Sequence, residues 1–194
     1  MNLWRNYMKA EHRDSERTFR KEIIHLISLH QEGGYWDFKR QWYENRSDLL
    51  HDIICMANNL CNRAAYIIIG IDEETGFSIT DVSKDTNRKN TQGIVDFLKD
   101  KKFAGGIRPV AHVEQLRFRD GMLDILVIDN SQNTPFYLSE QYKSVRANYI
   151  YTRVMDTNTP INQSAEINNV EYLWKKISSK LYSVGTDGLL PKIS

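Results

Sequence analysis

Between residues 15 and 31, apolar Phe19, Ile23, Ile24, Leu26, Ile27 and Leu29 stand among charged residues at helical spacing, which predicts an amphipathic helix stopped by Gly33-Gly34. From Tyr35 to Trp42 the pattern changes to alternation and predicts a strand, with Trp36, Phe38 and Arg40 on one side and Asp37, Lys39 and Gln41 on the other. Ser47 with Asp48 is a candidate N-cap, followed by Leu49, Leu50, Ile53, Ile54, Met56, Ala57 and Leu60 as the apolar face of a second helix. The run YIIIGID, Tyr66 to Asp72, reads as a central strand buried on both faces, ending in turn residues Glu73 to Gly76. Residues 86–102 suit a third helix with Ile94, Val95, Phe97 and Leu98 inward. Val110–Arg119 and Met122–Asp129, joined at Asp120-Gly121, read as a hairpin. Pro135–Leu138 and Ala147–Arg153 read as short strands. Ser164 opens a last helix with Ile167, Val170, Leu173, Trp174, Ile177 and Leu181 as its buried stripe.

This order predicts an α+β fold, a single domain with a mixed sheet flanked by helices. The domain is expected over residues 15–182, preceded by an N-terminal extension (1–14) and followed by a flexible tail (183–194). Trp4, Tyr7 and Met8 of the extension could pack on the domain or on a partner. A length of 194 residues suits one hydrophobic core, and 41% hydrophobic with 26% charged residues suits a folded chain.

Charge narrows the choice of partner only slightly. Twenty-six Lys and Arg against 25 Asp and Glu give +1, so any nucleic-acid contact must come from a local patch. Cys55 and Cys61, six apart in an apolar helical pattern, have neither metal-ligand nor disulfide-framework spacing and read as buried thiols in a reducing compartment. The N-terminal residues lack a signal-peptide run, and no apolar stretch approaches the ~20 residues of a membrane span; a cytoplasmic protein is expected. There is no phosphate loop, no Gly-x-Ser-x-Gly nucleophile context and no histidine pair at i and i+4, which argues against an ATPase, a serine hydrolase and a histidine metal site.

The chemistry concentrates in EGGYWDFKRQW, Glu32 to Trp42. Glu32 and Asp37 are an odd number of residues apart, so on a regular strand they would face opposite ways. Either one carboxylate is solvated, or a bend at Gly33-Gly34 lets both converge. Lys39 shares the face of Asp37; it either holds a phosphate oxygen or neutralises Asp37.

Five segments in order resemble the AlbA-like domain of the Schlafen family over roughly residues 20–178: Glu32; Asp37-Phe38-Lys39; Cys55-Met56-Ala57-Asn58-Asn59; Ile69-Gly70-Ile71-Asp72; and Tyr149-Ile150-Tyr151-Thr152-Arg153. Two departures stand out. Asn62-Arg63-Ala64-Ala65 replaces a Gly-Gly pair, removing backbone freedom for close phosphate approach, and Asp37 replaces a Glu, retracting the carboxylate by ~1.5 Å. The resemblance implies nucleic-acid binding, RNA more than DNA, and, as in some members, endoribonuclease action on structured RNA such as tRNA. It puts Glu32, Asp37 and Asp72 on a catalytic Mg²⁺ or Mn²⁺, with Lys39 beside them. Lys39, Arg40, Arg146, Tyr151 and Arg153 are the candidate nucleic-acid contacts, the interleaving of cations and aromatics suiting phosphate neutralisation with base stacking. A single copy would clasp an RNA helix only as a homodimer. The alternatives are a non-catalytic DNA- or RNA-binding regulator, or a protein-interaction scaffold. In those, Glu32 simply ends a helix, Asp72 begins a turn, and the late strand packs its tyrosines inward.

Overall fold

The computed structural model describes the backbone of residues 2–183 and the side chains of residues 14–176. In chain order the elements are α1 (Asn2–Ser28), β1 (Trp36–Lys39), α2 (Arg46–Ala57), β2 (Ala65–Ile69), β3 (Ile71–Asp72), a 3₁₀ turn (Glu73–Thr75), β4 (Ser78–Ile79), α3 (Thr91–Lys99), a second short turn (Ala104–Gly106), β5 (Ala111–Phe118), β6 (Gly121–Ile128), β7 (Arg153–Val154), β8 (Thr157–Asn158) and α4 (Ile167–Ser183). The fold is α+β. Its main sheet has the order β1-β2-β6-β5, with β1 parallel to β2 and the other pairs antiparallel.

The isoleucine-rich strand β2 is buried on both faces because alternate side chains enter two different cores. Ala65, Ile67 and Ile69 join α2, α3, Trp42 and Tyr151 on one face of the sheet. Tyr66 and Ile68 join Ile23 and Leu26 of α1, with Trp36, Phe38, Leu123 and Ile125, on the other. The sheet is therefore the middle layer of three.

Several boundaries differ from the sequence reading, each for a local hydrogen-bonding reason. Helix α1 begins at Asn2, so the backbone of the expected extension continues the helix; the side chains of Trp4, Tyr7 and Met8 lie outside the described residues, as does the tail beyond Ser183. Asn45, not Ser47, caps α2, accepting from the Ser47 N–H. Helix α3 is shorter than predicted because Asn90 caps it, accepting from Gly93 N–H at 2.9 Å. Ser164 bonds the backbone of Ile150 instead of opening α4. In α4, Leu173 is buried but Ile167 and Trp174 are exposed.

The predicted strands Pro135–Leu138 and Ala147–Arg153 do not form as ladders; Leu138 makes an isolated bridge to Phe103, Arg153 one to Asn59, and Arg153–Val154 pairs with β8. Backbone groups of Phe136 and Tyr151 are taken instead by the buried side chain of Asn58. Its amide donates to the carbonyls of Phe136 and Tyr151, both at 2.8 Å, and its oxygen accepts from Phe136 N–H at 2.7 Å. One side chain thus ties both segments to the end of α2 and satisfies buried groups that a ladder would otherwise serve.

Candidate functional site

Glu32 and Asp37 do meet. The chain reverses tightly between Gly33 and Trp36, whose backbones form an isolated bridge, and Glu32 Oε1 accepts from the Phe38 N–H at 3.1 Å. The glycines act by proximity and not by unusual torsion: neither has a positive φ. A Cβ on Gly33 would lie 2.1 Å from the Trp36 indole, and one on Gly34 would lie 2.6 Å from Cys61 Sγ. Gly33→Ala must displace the indole from the core, and we expect it to lower stability by about 1–3 kcal/mol in urea unfolding; an unchanged midpoint would show that Trp36 can move freely.

Arg153 closes the cluster from β7. Only 2% exposed, it donates to Gly33 O at 2.7 Å, Trp36 O at 3.1 Å, Asn158 Oδ1 at 3.0 Å and Glu32 Oε2 at 2.9 Å, and lies 3.5 Å from Asp37 Oδ1. Lys39 is paired with Asp37 and lies 3.7 Å from Asp52 of α2. Asp52 is held in turn by the Tyr43 hydroxyl at 2.7 Å and the Asn158 amide at 2.9 Å. Sequence reasoning overlooked Asp52, Tyr43 and Asn158. The signal for Asp52 was present: it follows His51 inside an otherwise apolar helix, where a charge persists only with partners.

Three carboxyls, Glu32, Asp37 and Asp52, thus face two cations, Lys39 and Arg153. His51 Nδ1 also lies 3.5 Å from Asp52 Oδ1, and of the three carboxyls Asp37 is the one whose ionisation the site disfavours. Burial, reinforced by its hydrogen bond to Glu32 and the negative charges of Glu32 and Asp52, pushes its pKa up to about 8 despite Lys39. Burial opposes ionisation of Glu32 as well, but Asp37, the Phe38 N–H and Arg153 outweigh it and hold Glu32 below its ordinary value. Asp52 is likewise lowered against burial by His51, Lys39 and Tyr43. Burial disfavours the Lys39 charge, yet Asp37 and Asp52 keep its pKa raised.

Asp72 is engaged elsewhere. It caps the 3₁₀ turn by accepting from Glu74 N–H and lies 3.4 Å from Arg40 Nε. The acid of that turn that feels the cluster is Glu73, whose pKa is raised by burial and then by the charge of Glu32. Among the described residues no group of three His, Cys, Asp or Glu side chains is placed to hold a metal ion. Of the three acids expected on Mg²⁺ or Mn²⁺, Glu32 and Asp37 face a guanidinium and an ammonium, and Asp72 serves a turn.

The expected nucleic-acid contacts separate by burial. Arg153 is interior, and Tyr151 is fully buried, its hydroxyl accepting from Arg146 N–H and donating to Ile161 O; neither can stack on a base or reach a phosphate from this position. Lys39 is committed to the acids. Arg40 and Arg146 are exposed. Arg146 stands over the Tyr149 ring, 5.2 Å from its centroid, and bonds its hydroxyl at 3.0 Å. Nearby, Lys101 lies over Tyr142 at 4.3 Å and Lys143 over the same ring at 5.9 Å.

No helix among the described residues is long and apolar enough to cross a membrane. No curated protein matches the sequence significantly. Among solved structures, the DIP2311 protein from Corynebacterium diphtheriae aligns with 79% of this chain at 16% identity and a TM-score of 0.45; the alignment covers 30% of that protein's chain. The family model for Schlafen, AlbA_2 matches residues 32–162, more than half of the chain. That span opens on Glu32 and includes β1, α2, the Asn58 tie and the Arg153 hairpin, so the features just described lie within the matched domain: this chain belongs to the Schlafen AlbA_2 family.

Proposed function

We propose that this domain binds nucleic acid, RNA in preference to DNA, through the loop that carries Tyr142 and Tyr149, and that it binds without cutting. One observation carries the reading: Lys101, Lys143 and Arg146, none in an ion pair among the described residues, lie over the rings of Tyr142 and Tyr149. Unpaired cations release counterions from a phosphate backbone, and ring faces accept unstacked bases. The preference for RNA rests on the resemblance to members that act on structured RNA. Arg40 extends the exposed basic surface.

Metal-dependent cleavage finds no support in the donor set. Glu32 faces Arg153, Asp37 faces Lys39 with its ionisation disfavoured by burial, and Asp72 is a turn cap.

Arg146→Ala with Tyr149→Ala should weaken binding of a labelled single-stranded RNA about 5- to 100-fold in fluorescence anisotropy, the size of one lost stacking contact. It should also reduce the salt dependence by roughly 0.7 in the log–log slope for the lost cation. Incubation of tRNA and duplex DNA with Mn²⁺ should show no cutting by wild type, Asp37→Ala or Asp72→Ala. Cutting by wild type that disappears in both variants would establish the endoribonuclease instead. A flat salt response in the wild type would favour a protein-interaction scaffold.

A further inference from the structure

A second basic feature lies along α3, apart from the acid cluster. A cavity of about 590 Å³ runs between α3, the first residue of α2 and strand β5. Four cations line it: Arg46, Arg88, Lys89 and Lys101. Arg88 is neutralised, since it grips buried Asp124 with Nε at 2.6 Å and Nη2 at 2.7 Å. Among the described residues the other three have no carboxylate within ion-pair distance.

Two details distinguish this from ordinary solvated charge. First, Lys101 is held in place, its ammonium 4.6 Å from the Phe97 ring centre and 4.3 Å from that of Tyr142, so little side-chain freedom remains to be lost on binding. Second, the lining holds an excess of positive charge: with Arg88 taken by Asp124, Arg46, Lys89 and Lys101 stand against Asp96 and Asp100. Burial lowers the Lys101 pKa, Asp100 opposes this, and the positive charge of Arg46 adds to the lowering. A bound anion relieves that excess. Asn90 and Gln115 add neutral amides to the wall.

We propose that this cavity binds phosphate groups carried in series, as in a nucleic-acid strand or a free polyphosphate, with Arg46, Lys89 and Lys101 as the contacting cations. Its volume exceeds the needs of a single oxyanion, and its open form suits a chain of them. Lys101 also touches Tyr142, so a strand bound at the aromatic loop would pass directly into the cavity. In that arm the proposal rests on the nucleic-acid reading; the polyphosphate arm does not.

The test is calorimetric titration of the full chain with inorganic tripolyphosphate and, separately, a single-stranded 12-nucleotide RNA, at two salt concentrations. Arg46→Gln combined with Lys101→Gln should weaken whichever probe binds at least tenfold. For the RNA it should also reduce the log–log salt slope by about 0.7 for each cation removed. Arg46→Gln alone, at an exposed helix-start position that cannot threaten the fold, should give about half that change in slope. Tripolyphosphate binding that is lost in the variants, with no RNA binding, would support the cavity while the nucleic-acid reading failed. RNA binding unchanged by these variants, or no binding of either probe to the wild type, would overturn the cavity site; only the first of these leaves the nucleic-acid reading intact.

Discussion

Arg153→Ala should lower folding stability by about 3–5 kcal/mol, the cost of leaving a buried charge without its partner. Typical domains have 5–15 kcal/mol in all, so the variant will be largely unfolded at moderate denaturant. The guanidinium serves Glu32, Asn158 and two backbone carbonyls at once from a position 2% exposed. Removing it strands an ionised Glu32 and two carbonyls where water cannot fully replace the fork. Arg153→Lys keeps the charge but not the geometry and should recover only part of the loss. Arg153→Ala combined with Glu32→Gln should be less destabilised than Arg153→Ala alone, since the uncompensated charge goes with the arginine. Urea unfolding followed by tryptophan fluorescence reads all three. A loss below about 1 kcal/mol for Arg153→Ala, the range of a surface ion pair, would show the cluster to be open to water.

The second large effect is on pH. The Asp37 pKa is about 8 in the fold against an ordinary 3.8, so between these values the native state holds a proton that the unfolded chain releases. Stability therefore falls as pH rises through this window, by up to about 1.4 kcal/mol per unit for one proton, and levels off above pH 8. Glu73, also raised, adds in the same direction. Glu32 and Asp52, being lowered, contribute stability present above their unfolded values and lost only as pH falls through their folded ones, at the acid end. Asp37→Asn mimics the protonated acid. The difference between wild type and this variant, measured from pH 5 to 9 by urea unfolding, isolates Asp37 because other groups cancel. The variant should gain steadily on wild type up to pH 8 and be the more stable protein at pH 9. A difference independent of pH would mean that Asp37 is ionised throughout, with Lys39 its true counter-charge.

How legible the protein was in its chain depends on the range of the interaction that shapes each part. The apolar run of Tyr66 to Ile69, the strand patterns on either side of the turn at Asp120-Gly121 and the apolar face of α2 act within a few residues, and they predict the strand, hairpin and helix that the structure contains. The ordered motifs from Glu32 to Arg153 likewise located the family span. Side-chain placement is less legible. The resemblance names Asp72, and only the capping of Glu74 N–H shows where its carboxylate is used. The late strand leaves open whether Tyr151 and Arg153 face solvent or the interior, because the pattern of one strand does not reveal that α2, through Asn58, draws that segment inward.

The chain by itself determined most of the elements and the α+β class, and it marked Glu32 and Asp37 as acids that a bend at Gly33-Gly34 would bring together, since periodicity and glycine spacing are local. Only the tertiary structure decided which charges face one another. Arg153 reaches Glu32 across 121 residues and Lys101 comes to stand beside Arg46, and such pairings depend on packing in three dimensions, which no short-range pattern encodes.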